Sequence, residues 1–283
     1  MTGDQPAPVA GGLGFGEGPR WHDGRLWFCD MALRAVFTLD ADGRVERKFD
    51  VPGRPSGLGW RPDGTLLVVS MEDRLLLAFR DGDASTVADL SSVATWHAND
   101  MVVDAVGRAY IGNFGWDYRA SREPVAASLA RVDLDGSVHV AADNLLFPNG
   151  VVLSADGRTM VVAETYGARL TAFDVGDDGS LSGRRVFAEL DGVHPDGICL
   201  DAEGAVWVST ARGGEVIRVR EGGEVTDRIA SGRRGAFACA LGGVDRRTLF
   251  ICCADGSDWS RAETGRTGEI RQLRVAVAGA GRP

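Results

Sequence analysis

Residues 195–208, PDGICLDAEGAVWV, contain the unit that decides the fold: a polar residue, a short apolar run, a turn beside glycine and a second apolar run. The turn and the second run occur six times along the chain, as HDGRLWF, PDGTLLVV, AVGRAYI, ADGRTMVV, AEGAVWV and VDRRTLFI. Short runs rich in Val, Leu, Phe, Trp and Thr between turn residues indicate β-strands. The repeat therefore predicts an all-β protein.

Each copy has an equivalent position just before its first apolar run. These positions are Glu17, Ser56, Asn99, Asn149, Asp196 and Ala238. They are separated by 39, 43, 50, 47 and 42 residues. A period of about 40–50 residues is typical of β-propeller blades and of some helical arrays. Because we find no helical periodicity, the spacing favours a propeller.

Glycine turns divide every repeat into two hairpins. One set of turns contains Gly24, Gly64, Gly107, Gly157 and Gly204, and the other contains Gly43, Gly82, Gly136, Gly179 and Gly222. Two hairpins make a four-stranded antiparallel blade, and six blades closed in a ring leave only short edges. Many of these turns are Asp-Gly pairs, which predict type I′ geometry. They begin at Asp23, Asp42, Asp63, Asp81, Asp135, Asp156 and Asp178.

We predict one domain over residues 1–283, with short flexible tails at about 1–10 and 277–283. In a propeller the N-terminal segment is also expected to pair into the last blade. Two insertions interrupt the repeats, GNFGWDYRASREPVAAS in the third and ADGSDWSRAETGRTG in the last. The first is aromatic and long, which is typical either of a lid or of a solvated loop. No helix is predicted in either insertion.

Composition and charge exclude some classes of binding partner. The net charge is −9 over 283 residues, without a basic run, which argues against nucleic acid and anionic membranes. The first residues lack the features of a secretory signal, and no window is apolar enough to span a membrane. Five cysteines lie mostly within apolar runs, as expected of reduced, buried thiols in a cytoplasmic protein. The sequence predicts no oligomeric state.

Four of the six equivalent positions carry a carboxylate or an amide: Glu17, Asn99, Asn149 and Asp196. Asn-Gly and Asp-Gly pairs also occur simply as turns. One oxygen ligand from each of several blades, however, predicts a metal site on the axis of the ring. Oxygen ligands suit Ca²⁺, Mg²⁺, Mn²⁺, Fe²⁺ or Zn²⁺, and two carboxylates neutralise one divalent cation.

The motifs GEGPRW, HAND, FPNG and PDGICLDAEGAVWV, in that order from about residue 15 to about residue 255, resemble the SMP-30/gluconolactonase/luciferin-regenerating-enzyme family. The resemblance implies a six-bladed propeller with one divalent metal on its axis, and lactonase activity. By the same resemblance, Glu17, Asn149 and Asp196 bind the metal. Asn99 matches a residue that contacts the substrate or the outer shell of the metal.

The predicted function is metal-dependent hydrolysis of a small lactone. The metal acts as a Lewis acid on the carbonyl group, and Asp196 is both a ligand and a candidate general base. Two alternatives remain open at this stage. The protein is either a metal-dependent tailoring enzyme of secondary metabolism that acts on a less polar substrate, or a non-catalytic metal-binding regulatory protein.

The substrate side of the site departs from the family pattern. His97 replaces an arginine that binds sugar hydroxyls, and residues 115–117 contain no recognisable acidic contact. Aromatic residues make the predicted pocket less polar: Trp96, Phe114, Trp116, Phe147 and Tyr166. The predicted substrate-binding residues are Asn99, His97, Trp116, Phe114, His194 and Tyr166. A structural role for the two histidines is an equal alternative.

Overall fold

A computed structural model describes residues 5–80, 82–121, 123–233, 235–256 and 258–281. Within these residues the chain forms 24 strands, arranged as six four-stranded antiparallel sheets. The inner strands of neighbouring sheets contact one another in a closed ring. The predicted fold, an all-β six-bladed propeller, is confirmed.

Blades one to five each take four consecutive strands, from β2–β5 to β18–β21. In chain order the strands are β1 (Ala7–Leu13), β2 (Gly16–His22), β3 (Arg25–Asp30), β4 (Ala35–Leu39), β5 (Val45–Asp50), β6 (Pro55–Trp60), β7 (Leu66–Ser70), β8 (Leu75–Arg80), β9 (Asp83–Asp89), β10 (Ala98–Val103), β11 (Ala109–Asn113), β12 (Ala127–Val132), β13 (Val138–Leu145), β14 (Pro148–Leu153), β15 (Thr159–Glu164), β16 (Arg169–Val175), β17 (Leu181–Glu189), β18 (Pro195–Leu200), β19 (Val206–Thr210), β20 (Glu215–Val219), β21 (Val225–Ala230), β22 (Gly235–Gly242), β23 (Thr248–Ala254) and β24 (Gly268–Arg274).

Blade six joins the two ends of the chain. Its order from the axis outward is β22, β23, β24 and β1, with Ala7 opposite Gln272. Pairing of the N-terminal segment into the last blade is confirmed, so residues 7–10 belong to a strand and not to the flexible tail predicted at 1–10. The C-terminal segment is also held, because the amide of Ala280 donates to the carbonyl oxygen of Leu200 at 3.0 Å.

The core lies between the blades. Between blades six and one, for example, Leu26 and Phe28 pack against Ala240 and Phe250. Both faces of each sheet are covered in this way, which explains why the second strand of a blade is apolar without alternation. Each fully buried Leu or Phe contributes about 1.5–3 kcal/mol, so the six inter-blade seams hold the ring together.

The hairpin turns differ from the type I′ prediction at most Asp-Gly pairs. Asp23 and Gly24 both have positive φ, as a type I′ turn requires. At Asp42–Gly43 only the glycine has positive φ, and its amide bonds the carbonyl oxygen of Asp40 at 3.2 Å. The pair therefore belongs to a type I turn that is closed by a glycine with left-handed backbone. This turn begins at Asp40, one residue earlier than a type I′ turn centred on Asp42 and Gly43 would begin. Asp81 lies outside the described residues.

The insertion of the last repeat contains a helix that the sequence did not predict, α1 (Trp259–Gly265). Seven residues are too few to show a helical period, so the pattern was not visible. Trp259 and Ala262 are buried one helical turn apart, in a cluster that also contains Phe114 and Phe237. In the described part of the chain, no helix is long and apolar enough to cross a membrane.

Candidate metal centre

A β-bulge near the start of each inner strand marks the candidate ligands. The strand register shifts between Ala98 and Met101, between Pro148 and Val151, and between Pro195 and Ile198, at the positions of Asn99, Asn149 and Asp196. In blade one the shift follows Glu17 directly. A bulge turns a side chain away from the alternation of the strand. This explains how one residue per blade points to a common centre.

Glycine follows three of the candidate ligands, Glu17, Asn149 and Asp196, and the inner strands approach closely at each of these glycines. A Cβ atom on Gly150 would lie 2.6 Å from the backbone nitrogen of Ile198, and one on Gly197 would lie 2.6 Å from Cβ of Ala238. Neither glycine has positive φ. The Asn-Gly and Asp-Gly pairs at these positions are therefore not turns. Their glycines allow neighbouring inner strands to pack side by side around the axis.

All four predicted oxygen donors line one cavity of about 100 Å³ at the mouth of the ring. The other residues of its wall are mainly aromatic or apolar. The wall consists of Phe15, Glu17, Met31, Asn99, Phe114, Tyr118, Phe147, Asn149, Thr165, Tyr166, His194, Asp196, Ala211, Arg212, Phe237 and Trp259. The cavity thus has a polar floor at the axis and an aromatic rim, a usual arrangement for a small-molecule site.

Hydrogen bonds between blades fix the floor. The amide nitrogen of Asn149 donates to Oδ1 of Asp196 at 2.5 Å and to Oγ1 of Thr165 at 3.1 Å. Oγ1 of Thr165 donates in turn to the carbonyl oxygen of Pro195 at 2.7 Å. Both hydrogens of the Asn149 amide are used in this way, so its oxygen is the atom available to a cation.

Asn99 is held from the neighbouring blade. Oγ of Ser56 donates to the backbone carbonyl oxygen of Asn99 at 2.9 Å, which gives the polar position of blade two a supporting role. The side-chain nitrogen of Asn99 is buried without a hydrogen-bond partner among the described residues. A buried donor without a partner is costly, and a bound molecule that accepts from it would relieve that cost.

The floor holds more acidic than basic side chains. Burial raises the pKa of Glu17 well above its usual range, and the charges of Asp196 and Asp100 raise it further. Burial raises the pKa of Asp196 to about 8, against the opposing hydrogen bond from Asn149. The charge of Arg20 opposes the rise in the pKa of Glu17, but Arg20 already bonds Oδ1 of Asp100 at 2.7 Å and the carbonyl oxygen of Met101 at 2.6 Å.

These charges fit a divalent cation. Three buried carboxylates and one guanidinium leave two negative charges, which a dication would balance. Two buried carboxylates without a counter-ion are otherwise strongly unfavourable. No group of three or more His, Cys, Asp and Glu side chains is placed to hold a metal ion in the described ranges. The candidate ligands here are two carboxylates, Glu17 and Asp196, with the amides of Asn149 and Asn99.

The predicted substrate-binding residues separate into two groups. Asn99, Phe114, Tyr166 and His194 line the cavity, whereas His97 and Trp116 do not. The ring of His97 contacts Phe114 edge-on, with 5.7 Å between ring centres. Trp116 lies behind the wall, with its ring 5.9 Å from that of Phe147 and 5.0 Å from that of Tyr166. Both residues therefore support the wall from outside.

His194 has a defined tautomer. Its Nδ1 lies 3.2 Å from the backbone carbonyl oxygen of Thr165, which can only accept, so Nδ1 carries the proton. Nε2 is then a hydrogen-bond acceptor. Elsewhere on the rim Phe114 and Phe147 are stacked, with 4.4 Å between their ring centres, and Tyr118 meets Phe147 edge-on.

Sequence reasoning missed several wall residues. In blade six the bulge lies between Ala236 and Ala238, so Phe237 and not Ala238 reaches the cavity. Trp259 comes from the unpredicted helix, and Arg212 from the loop after β19. The pair Arg20 and Asp100 was visible only as parts of the motifs GEGPRW and HAND, whose letters do not show that the two side chains meet.

A second cavity, of about 50 Å³, lies at the other end of the axis. Its wall includes Val152, Leu153 and Leu200 from the far ends of inner strands, and residues 279–281 of the C-terminal segment. Apolar side chains dominate it, and none of the candidate ligands reaches it. The candidate site is therefore the cavity at the mouth.

Comparison with known proteins agrees with the fold. The chain is 28% identical over 280 residues to a pentonolactonase of Haloferax volcanii, covering 95% of this chain and 92% of that protein. It is 28% identical over 278 residues to a 6-deoxy-6-sulfogluconolactonase of Pseudomonas putida, covering 95% and 94%. A crystal structure of a calcium-binding regucalcin from Agrobacterium tumefaciens has the same fold, with a TM-score of 0.82, 24% identity and coverage of 100% and 98%.

The sequence model of one family matches residues 15–255, which is most of the chain and spans all six inner strands. The order of the motifs had suggested this family, and the match confirms it. The bulged inner strands, the polar floor and the matched range agree: this chain belongs to the SMP-30/gluconolactonase/LRE-like family.

Proposed function

We propose that the protein hydrolyses small lactones and that a divalent cation held by Glu17, Asn149 and Asp196 is required. The observation that carries the proposal is the pair of buried carboxyl groups, Glu17 and Asp196, whose pKa values are raised by burial at the base of the cavity. The pentonolactonase of Haloferax volcanii and the 6-deoxy-6-sulfogluconolactonase of Pseudomonas putida each match 95% of the chain, which supports the reaction type.

The cation would be held by two carboxylates and the amide oxygen of Asn149, with Asn99 beside them. Such a hard, oxygen-only set is compatible with Ca²⁺, Mg²⁺ or Mn²⁺, and also with Zn²⁺ or Fe²⁺. When bound, a divalent cation supplies Lewis-acid polarisation of a carbonyl oxygen.

The protein's own groups position the lactone. The unpartnered amide nitrogen of Asn99 is a donor to an oxygen of the substrate. Nε2 of His194 accepts from a hydroxyl group. Phe114, Phe147 and Tyr166 cover the ring and keep bulk water from the floor.

Asp196 is the candidate general base. Its Oδ1 accepts from Asn149, whereas Oδ2 receives no hydrogen bond from the described part of the chain. In the proposed reaction, water attacks the carbonyl carbon as Oδ2 takes a proton from it. The bond between the carbonyl carbon and the ring oxygen then breaks, and that oxygen takes the proton to give a hydroxy acid.

The test is a lactone panel with protein stripped of metal and then loaded with Ca²⁺, Mn²⁺, Mg²⁺ or Zn²⁺. We expect hydrolysis with at least one ion, and loss of hydrolysis in Asp196→Asn. A matched control is Asp156→Asn, because Asp156 lies in an exposed hairpin at the other end of blade four. Turnover that survives both metal removal and Asp196→Asn would refute the proposal.

A further inference from the structure

We propose that Arg212 recognises an oxyanion on the substrate, so that the preferred lactone carries a carboxylate, sulfonate or phosphate group away from its reacting carbonyl. This inference rests on the proposed lactone hydrolysis and specifies its substrate class. Arg212 is the one arginine or lysine in the cavity wall formed by the described residues.

The repeat places Arg212 in the wall. It is the second residue after β19 in blade five, and Tyr166 is the second residue after β15 in blade four. Both residues line the cavity. The loop is tied to the site, since the amide of Ala211 donates to the carbonyl oxygen of His194 at 3.2 Å. Arg212 is thus the counterpart of an aromatic wall residue in the neighbouring blade.

The charge of Arg212 has no partner in the part of the chain that the structure describes. Its guanidinium makes no hydrogen bond or ion pair with any described residue. Arg20 neutralises Asp100, and the proposed cation neutralises Glu17 and Asp196. The loaded site is therefore balanced without Arg212, which leaves one positive charge at the rim.

A guanidinium fits an oxyanion better than it fits a neutral hydroxyl. It presents parallel N–H donors that match a planar carboxylate or the oxygens of a phosphate or sulfonate. Arg212 is exposed, so solvent weakens the interaction. We therefore expect a discrimination of about tenfold, the lower end for a charge-assisted hydrogen bond.

The experiment compares two nearly isosteric substrates: a γ-butyrolactone that carries a carboxylate and the same lactone with a carboxamide. With metal-loaded wild-type protein we expect the carboxylate to have the higher kcat/KM, by about tenfold. Arg212→Gln should remove this preference through KM, and Arg212→Lys should retain part of it. Arg158→Gln is the charge-matched control, because Arg158 is exposed in the hairpin at the opposite end of blade four. Lactones with sulfonate or phosphate substituents then rank the oxyanions.

Each outcome is decisive. Equal losses for both lactones in Arg212→Gln, or no loss, would overturn the inference while hydrolysis stands. If no lactone is hydrolysed, the proposed function fails, and calorimetry with the hydroxy-dicarboxylate product still tests the site. Binding of the dicarboxylate that Arg212→Gln weakens about tenfold would support an oxyanion site. No binding, or binding that is equal in both proteins, would refute it.

Discussion

The side-chain nitrogen Nδ2 of Asn149 and Oδ1 of Asp196 lie 2.5 Å apart, although the two residues belong to different blades. The bond links the two inner strands at their bulges and orients both side chains before any ion arrives. An ion site prepared in this way loses little conformational entropy on binding. It also means that the carboxylate of Asp196 is partly stabilised by the protein itself, while Glu17 has only the amide of Gly18, at 3.3 Å.

Metal should stabilise the fold. EDTA is expected to lower the melting temperature, and one divalent ion should restore it, since an ion at 100 times its Kd adds about 2.7 kcal/mol. Glu17→Gln should abolish this response and, by removing a buried group that resists ionisation, should leave the metal-free protein at least as stable as the wild type. Differential scanning fluorimetry checks both points. A melting curve that ignores EDTA in protein verified as metal-free would contradict the site.

The stability of the metal-free protein should fall as pH rises. Asp196 has a folded pKa of about 8, and Glu17 is also raised, whereas both titrate near 4 when unfolded. Between these values the folded state binds more protons than the unfolded state, so the free energy of unfolding decreases with pH. Urea denaturation from pH 5 to 8.5 measures the slope. Asp196→Asn should flatten it, and a wild-type slope equal to the variant's would show that the shift is absent.

Adding a methyl group at Gly150 should disturb the ion site. Its Cβ would lie 2.6 Å from the nitrogen of Ile198 and 2.7 Å from the carbonyl oxygen of Asp196. We expect Gly150→Ala to cost about 1–3 kcal/mol and to weaken ion binding. Gly11→Ala is the control, because no atom lies within 4 Å of the added group. Chemical denaturation and an ion titration should separate the two variants clearly.

Trp116 is predicted to affect substrate binding indirectly, by supporting residues of the cavity wall. Its indole packs behind Phe147 and Tyr166, so Trp116→Ala should raise KM more than it lowers kcat. Removal of a buried Trp side chain also costs about 3 kcal/mol of stability. Steady-state kinetics well below the melting temperature distinguish the two effects. A fall in kcat with unchanged KM would point to a role at the reacting atoms instead.

Substrates with few hydroxyl groups should be preferred. Aromatic walls bind apolar surface, at about 25 cal/mol per Å², and the arginine expected for sugar hydroxyls is His97 here. We therefore expect gluconolactone or xylonolactone to have a lower kcat/KM than a less hydroxylated lactone. A preference for a sugar lactone of tenfold or more would show that our interpretation of the loop at 112–128 is wrong.

The sequence was sufficient for the ring and for the residues on its axis, because both depend on local patterns that repeat. Asn149 and Asp196 occupy equivalent positions in the sequence repeat, and the structure places both of them in the bulge at the start of an inner strand. Phe237 was missed because the bulge of blade six begins one residue earlier, relative to the repeat, than the bulges of blades three to five, and letters alone do not locate a bulge. The shift of one residue exchanges a small side chain for an aromatic one in the wall.

Contacts between distant insertions were also beyond the sequence. Arg119, in the blade-three loop, lies over the ring of Trp259 in α1, 4.1 Å from its centre. Nothing in either segment indicates that they meet, since the closure of the ring brings them together. The aromatic loop was therefore recognised, but its partner across the mouth was not.

The pairing of β1 with β24 in blade six has a consequence for synthesis. A ribosome releases β1 and Glu17 first, and β24, the partner of β1, last. Until then the nascent chain must keep its first strand unpaired, and closing so long a loop is slow. Blade six lies between blade one, which carries Glu17, and blade five, which carries Asp196. We therefore expect the proposed ion to be captured only after β24 has emerged and paired with β1, late in folding.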